Sequence, residues 1–125
     1  FRVTARNVAL SGTGNALVQL SSGGSFVTTG YDSRSIRGSG NISSAAGMIV
    51  SLGGSTSFWS GHMDFTLHDP ATNLWEAALT AGPSTTSNND PISGHGFIAL
   101  AGAADAVRVN SSAGTWATSS FNVHY

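Results

Sequence analysis

Cysteine is absent from the 125 residues, which excludes a disulfide scaffold and every thiolate metal site. Lysine is absent too. All five basic residues are arginine, and charged residues of both signs make up 9% of the chain, against about 25% in an ordinary soluble domain. With a formal net charge of −1 there is no basic field to draw in nucleic acid and no acidic block of the kind seen in disordered tails. No apolar run approaches the roughly 18 residues of a membrane-spanning helix, and no basic segment leads into an apolar stretch as in a signal peptide. Neither nucleic acid nor membrane is expected as a partner. The first residue is Phe1, compatible with a processed product, a secreted protein freed of its leader or part of a longer chain.

Polarity comes instead from hydroxyls and amides: serine, threonine, asparagine, glycine and alanine together exceed half of the residues. Such a composition disfavours long helices, because serine, threonine and asparagine compete with the helical backbone and glycine costs about 1 kcal/mol at each interior position. Apolar residues recur in short bursts between Gly, Ser, Asn and Pro, a pattern that predicts about nine strands in a single domain spanning 1–125. The first two, Arg2 to Leu10 and Ala16 to Leu20, flank Ser11 to Asn15, which reads as a hairpin loop. Ser25 to Tyr31, Arg34 to Gly38, Asn41 to Ser43 and a buried Gly47 to Leu52 follow, the last ending in Gly53-Gly54.

The clearest alternation is His62 to His68, with Met63, Phe65 and Leu67 on a packing face and His62, Asp64, Thr66 and His68 on the other. Asp69 to Asn73 supplies turn chemistry before a return strand from Leu74 to Leu79. Ala81 to Ser93 holds two of the three prolines and reads as the longest loop. Phe97 to Leu100, Ala106 to Asn110 and Thr115 to Tyr125 complete the set. The expected architecture is all-β: an antiparallel β-sandwich, jelly-roll or immunoglobulin-like, with a closed β-barrel as the alternative.

The run from Phe65 through the Asp69-Pro70 turn to Trp75, then Gly94 to Leu100, Ala106-Val107-Arg108-Val109 and Gly114-Thr115 before a last strand, resembles small β-sandwich domains of tailed-bacteriophage virion proteins. The resemblance covers Met48 to Tyr125 and departs from the family where the turn usually reads Asp-Gly. It implies a capsid decoration, head-fibre or tail-fibre-tip protein on the external surface of the virion, otherwise extracellular. Its partners would be copies of itself, with a trimer preferred, and other virion proteins such as a major capsid protein. The same hairpin is similar to that of discoidin-like and other carbohydrate-binding sandwiches, so a module recognising a cell-surface glycan is the second reading.

Catalytic chemistry has little support. Six residues separate His62 from His68, about 20 Å along a strand, too far to share one ion. Asp64 lies nearer to His62, but further ligands would have to come from His95, His124 or Asp90. No nucleophile elbow and no extended Gly-x-Gly-x-x-Gly is present, and Glu76 is the only glutamate available to a carboxylate pair. Neither an enzyme, a metal nor a cofactor is expected.

The aromatics point to contacts instead. Adjacent Phe58 and Trp59 must face opposite ways in an extended segment, which places one of them outward, and Trp116 has parity opposite to Phe121. These three, with Arg34 and Arg37, are the candidate partner or glycan contacts. Phe1, Arg2 and Val3 are candidate assembly contacts, because the 1–10 segment changes parity between Ala5 and Val8 and so is expected to bulge there. A surface so poor in charge suits a subunit packed among copies of itself.

Overall fold

The computed structural model describes residues 1–52, 58–84 and 90–125. Among them are twelve strands and no helix: β1 (Arg2–Leu10), β2 (Ala16–Ser22), β3 (Ser25–Phe26), β4 (Asp32–Arg37), β5 (Gly40–Ser44), β6 (Met48–Val50), β7 (Trp59–Asp69), β8 (Leu74–Pro83), β9 (Ile92–Ala99), β10 (Ala104–Ser111), β11 (Trp116–Thr118) and β12 (Phe121–His124). All pair antiparallel in two sheets. The larger runs β11-β1-β7-β8-β9-β4-β5, with β12 also on β1, and the smaller runs β10-β2-β3, with β6 also on β2. Among the described residues the two ends of the larger sheet do not pair with each other, so these strands form no closed barrel.

The differences from the expected segments have local causes. Ser25 to Tyr31 yields only β3, because its remainder leaves the ladder to bring Tyr31 into the core. The expected loop from Ala81 to Ser93 contracts: Ala81 to Pro83 extend β8 against Trp59 to Gly61, and Ile92 and Ser93 begin β9. Residues 85–89 of that loop and Gly53-Gly54 lie outside the described residues. The last expected strand splits at Ser119-Ser120. The split faces the expected bulge in β1, where register shifts between Ala5 and Val8 and Asn7 adopts φ 49°. Arg6 N–H donates to the Ser120 carbonyl at 3.0 Å and Asn7 N–H to Ser60 Oγ at 3.0 Å, so the irregular backbone remains bonded.

Ser11 to Asn15 is not a hairpin loop. It crosses from the larger sheet to the smaller, since β1 and β2 lie in different sheets. Its backbone is satisfied instead by the turn before β11: Ser11 N–H donates to Thr115 O and Ser112 N–H to Asn15 O, each at 2.8 Å. In contrast, the turn between β7 and β8 follows its sequence chemistry. Asp69 Oδ1 accepts from Ala71 N–H at 2.9 Å, Oδ2 accepts from Thr72 Oγ1 at 2.8 Å, and Asn73 takes φ 50°.

The two inner faces enclose one core that includes Val8, Leu10, Leu20, Met48, Val50 and Leu52, all at most 2% exposed. Each such side chain contributes about 1.5–3 kcal/mol by leaving water. Joining the sheets requires partners for the buried backbone of β6, whose one edge pairs with β2. On the other side β4 offers side chains. Ser33 Oγ accepts from Ile49 N–H at 2.8 Å, Ser35 Oγ accepts from Ser51 N–H at 3.0 Å, and the Arg37 guanidinium donates to the Leu52 carbonyl. Leu52 N–H finds Asn15 Oδ1 at 3.1 Å. A similar device serves Leu20, which falls between β3 and β6 on the edge of β2. Its N–H donates to Tyr31 Oη at 2.8 Å and its carbonyl accepts from Val27 N–H at 2.9 Å. Burial raises the Tyr31 phenol above its ordinary pKa.

Replacing Ser35 by Ala leaves the buried Ser51 N–H without its acceptor, and urea unfolding is expected to show a loss of about 1–3 kcal/mol. Exposed Ser43→Ala on β5 should stay within about 0.5 kcal/mol. A Cβ on Gly61 would lie 2.4 Å from both the Ala81 Cβ and the Thr80 carbonyl oxygen. Gly61→Ala therefore forces β7 from β8 and should lower stability by about 1–3 kcal/mol in the same assay.

Candidate functional site

Strand parity separates the larger sheet into an inner face that meets the core and an outer face that carries most of its chemistry. On β7, Trp59, Met63 and Phe65 are buried while His62, Asp64, Thr66 and His68 point the other way. On β8 the outer residues are Glu76, Ala78 and Thr80, on β9 Ser93, His95 and Phe97, and on β4 Asp32, Arg34 and Ile36. Leu67 belongs by parity to the inner set but is 39% exposed, because it adjoins the bulge at the hairpin end.

Cross-strand register aligns these side chains in rows. One row reads His124, Arg2, Asp64, Ala78, His95, Arg34 and Ser43, across β12, β1, β7, β8, β9, β4 and β5 in that order. On one side lies a row of Asn122, Thr4, His62, Thr80, Ser93, Ile36 and Asn41, and on the other Thr66, Glu76, Phe97 and Asp32.

Two polar clusters occupy this face. In the first, Arg2 grips Asp64 with Nε on Oδ1 at 2.6 Å and a terminal nitrogen on Oδ2 at 2.9 Å, while His62 Nε2 stands 3.7 Å from Oδ2. Thr4 Oγ1 meets His124 Nε2 at 3.2 Å beside them. The Arg2 hydrogen bond holds the Asp64 carboxyl below the usual aspartate range, with smaller help from nearby positive charge. In the second, one glutamate serves two imidazoles: His95 Nε2 lies 2.7 Å from Glu76 Oε1, and His68 Nδ1 lies 3.2 Å from Oε2. The Phe97 ring is set edge-on to both, with centroids 4.8 Å from His95 and 6.3 Å from His68. The hydrogen bond from His95 is the largest reason that Glu76 sits below the usual glutamate range. Each imidazole takes its own oxygen, and among the described residues no three His, Asp or Glu side chains are disposed to hold one metal ion. The arrangement suits surface hydrogen bonding and charge recognition.

Several contacts expected from the sequence are placed elsewhere. Trp59 is 5% exposed and belongs to the core, so it offers no platform for a sugar ring, and its neighbour Phe58 is half-buried. Trp116 is half-buried and set edge-on to Phe121 at 5.4 Å, because the break at Ser119-Ser120 resets the parity between them. Arg37 faces inward on Leu52 and is 8% exposed, whereas Arg34, two residues away, stands on the outer face. Phe1 stacks on Phe65 at 4.8 Å, Val3 is buried, and Arg2 alone of the three is exposed. Strand β1 is bonded on both sides, to β7 and to β11 and β12, so it has no free edge for another subunit.

The grouping of Glu76 with His68 and His95 is absent from the sequence reading. Pairing β7 with β8 through the Asp69 turn would have placed His68 near Glu76; the third strand needs knowledge of β9's register. Comparison of the chain with family models, with curated proteins and with solved structures gave no match.

A carboxyl held below its ordinary value stabilises the fold above the unfolded pKa, and that contribution is lost as pH falls through the folded value. Exposed Asp64→Asn should therefore cost at most about 1 kcal/mol at neutral pH and progressively less as the pH falls below the ordinary aspartate range, as read by urea unfolding at each pH. In a carbon-detected NMR titration, the Glu76 carboxyl should titrate below an ordinary glutamate and move upward in the His95→Gln variant.

Proposed function

We propose that this chain is a non-enzymatic structural protein of a tailed-phage virion surface, a decoration or head-fibre subunit built as a jelly-roll or immunoglobulin-like sandwich. The observation that carries the reading is the edge of β10 away from β2, which pairs with no strand among the described residues. This eight-residue strand ends the smaller sheet, and both of its charged residues are turned to internal work. Asp105 accepts from Ser21 Oγ and from Gly24 N–H, while Arg108 bonds Gln19 Oε1 at 2.7 Å and lies 4.3 Å above the Phe26 ring. Isolated proteins usually guard such an edge with charge, especially lysine. An unguarded edge supports assembly with copies of the same chain, a trimer preferred, and with a capsid protein. The buried position of Trp59 weighs against the rival reading in which tryptophan stacks on a glycan.

Two measurements test this. Mass spectrometry of purified particles should find the chain in many copies per virion, and its confinement to a soluble secreted fraction would sink the virion assignment. Sedimentation should show self-association at about tens of micromolar, weakened about tenfold when exposed Ala106 and Asn110 are both replaced by Lys. A wild-type chain that stays monomeric and does not bind its particle would overturn the assembly reading.

A further inference from the structure

Three aromatic side chains that carry the inward parity of the larger sheet are not sealed by the core. Phe1 has the parity of buried Val3 and Ala5, and Trp75 that of buried Ala77 and Leu79. Tyr125 continues the series of Phe121 and Val123, the partners of Ala5 and Val3. Yet Phe1 and Trp75 are only half-buried, and Tyr125 is fully exposed. With Ala104 to Val107, the first half of β10, these rings line a cavity of about 230 Å³ whose walls come from both sheets.

Rings and small aliphatic groups make up the walls. Phe1 lies 5.7 Å from Trp75 at a tilt of 58° and 6.4 Å from Tyr125 at 42°, so these rings stand at angles to one another instead of stacking. One face of Phe1 is backed by Phe65, parallel at 4.8 Å. Trp75 Nε1 is buried out of solvent contact and offers the cavity no donor. Ala104, Ala106 and Val107 add no polar side chain. The one charged side chain among the lining residues is Asp105. Ser21 Oγ and Gly24 N–H both donate to its carboxylate, and the serine bond is the largest reason that it sits below the usual aspartate range. Asp105 is therefore ionised near neutrality and acts on the cavity through its charge. The Phe1 amino group is directed into the strand ladder, where it donates to the Phe65 carbonyl at 3.0 Å.

We infer that this cavity is an aromatic cage for a quaternary ammonium group of the choline type. Ring faces carry negative potential that attracts a cation without requiring hydrogen bonds of it, and a trimethylated nitrogen has none to give. The nearby carboxylate favours the same sign. An anion would be repelled by it, and a sugar would find Tyr125 the only hydroxyl among the lining side chains. A primary ammonium would give up its hydration for one carboxylate that is already engaged. The cage requires neither the virion assignment nor self-association through β10, so it stands or falls apart from both.

Choline chloride serves as the probe, titrated into the chain and followed by the NMR signals of the Trp75 indole and the Ala104 to Val107 amides. These should shift together and saturate with a Kd of about 1 mM or below. The neutral isostere, in which carbon replaces the quaternary nitrogen, has the same shape without the charge and should bind at least about tenfold more weakly. Tyr125→Leu should weaken choline binding at least about fivefold, while Tyr125→Phe, which keeps the ring, should leave it within about twofold. Tyr125 is exposed, so both variants should unfold at the wild-type temperature. Phosphatidylcholine vesicles distinguish the sources of the group: co-sedimentation places it on a lipid surface, and choline binding without co-sedimentation places it on a soluble or polymer-borne ligand, each in keeping with the cage. Equal affinity for choline and its isostere, equal affinity of the Leu and Phe variants, or no shift at about 20 mM choline would each overturn the proposal.

Discussion

Strand β6 is the constraint around which the two sheets are arranged. It has only three residues, is fully buried and carries backbone groups that cannot reach water. On one edge β2 supplies a ladder; on the other Ser33, Ser35 and Arg37 bond the 49–52 backbone with their side chains. A buried amide without a partner costs more than a hydrogen bond gains, so this edge is tolerable only because β4 presents polar groups at every second residue. Those same residues hold β4 against the smaller sheet and thereby set the curvature of the larger one where β9 and β5 flank it.

The inward use of serine and arginine on β4 leaves Asp32, Arg34 and Ile36 for the opposite face. The larger sheet thus has a polar but hydrogen-bonded interior seam and an exterior where histidine, arginine and carboxylate alternate with small residues. Ala78 and Ser93 are exposed there, and Gly94 and Gly96 bring β9 close to β4. Charge scarce in the sequence is therefore concentrated in space. That follows from packing: with both faces of β2 buried and the arginine and aspartate of β10 tied to β2 and its turn, the smaller sheet leaves few charges to solvent.

Local chemistry was legible where it acts locally. The alternation of β7, the bulge after Ala5 and the Asx turn at Asp69 each depend on a few adjacent residues and were read from them. The loop at Ser11 to Asn15 was not. Its residues suit a hairpin as well as a crossover, and the choice rests on Thr115 and Ser112, about a hundred positions away. Trp59 and Arg37 were misread for a related reason. An extended segment says which residues share a face, but which face is covered depends on the other sheet.

The sequence by itself determined that the chain is built of antiparallel strands: β-favouring bursts between glycine, serine and proline leave no helical period for a core to use. It also determined the polar parity of β7, and with it the side on which His62, Asp64 and His68 stand together. Tertiary structure decided which strands are neighbours, and so that His95 reaches Glu76 and that Arg2 and Arg34 share a row. Parity repeats every two residues and is written in the local sequence. Register between strands far apart in the chain is chosen by the burial of whole faces and the satisfaction of buried backbone, and both are properties of the assembled sheets.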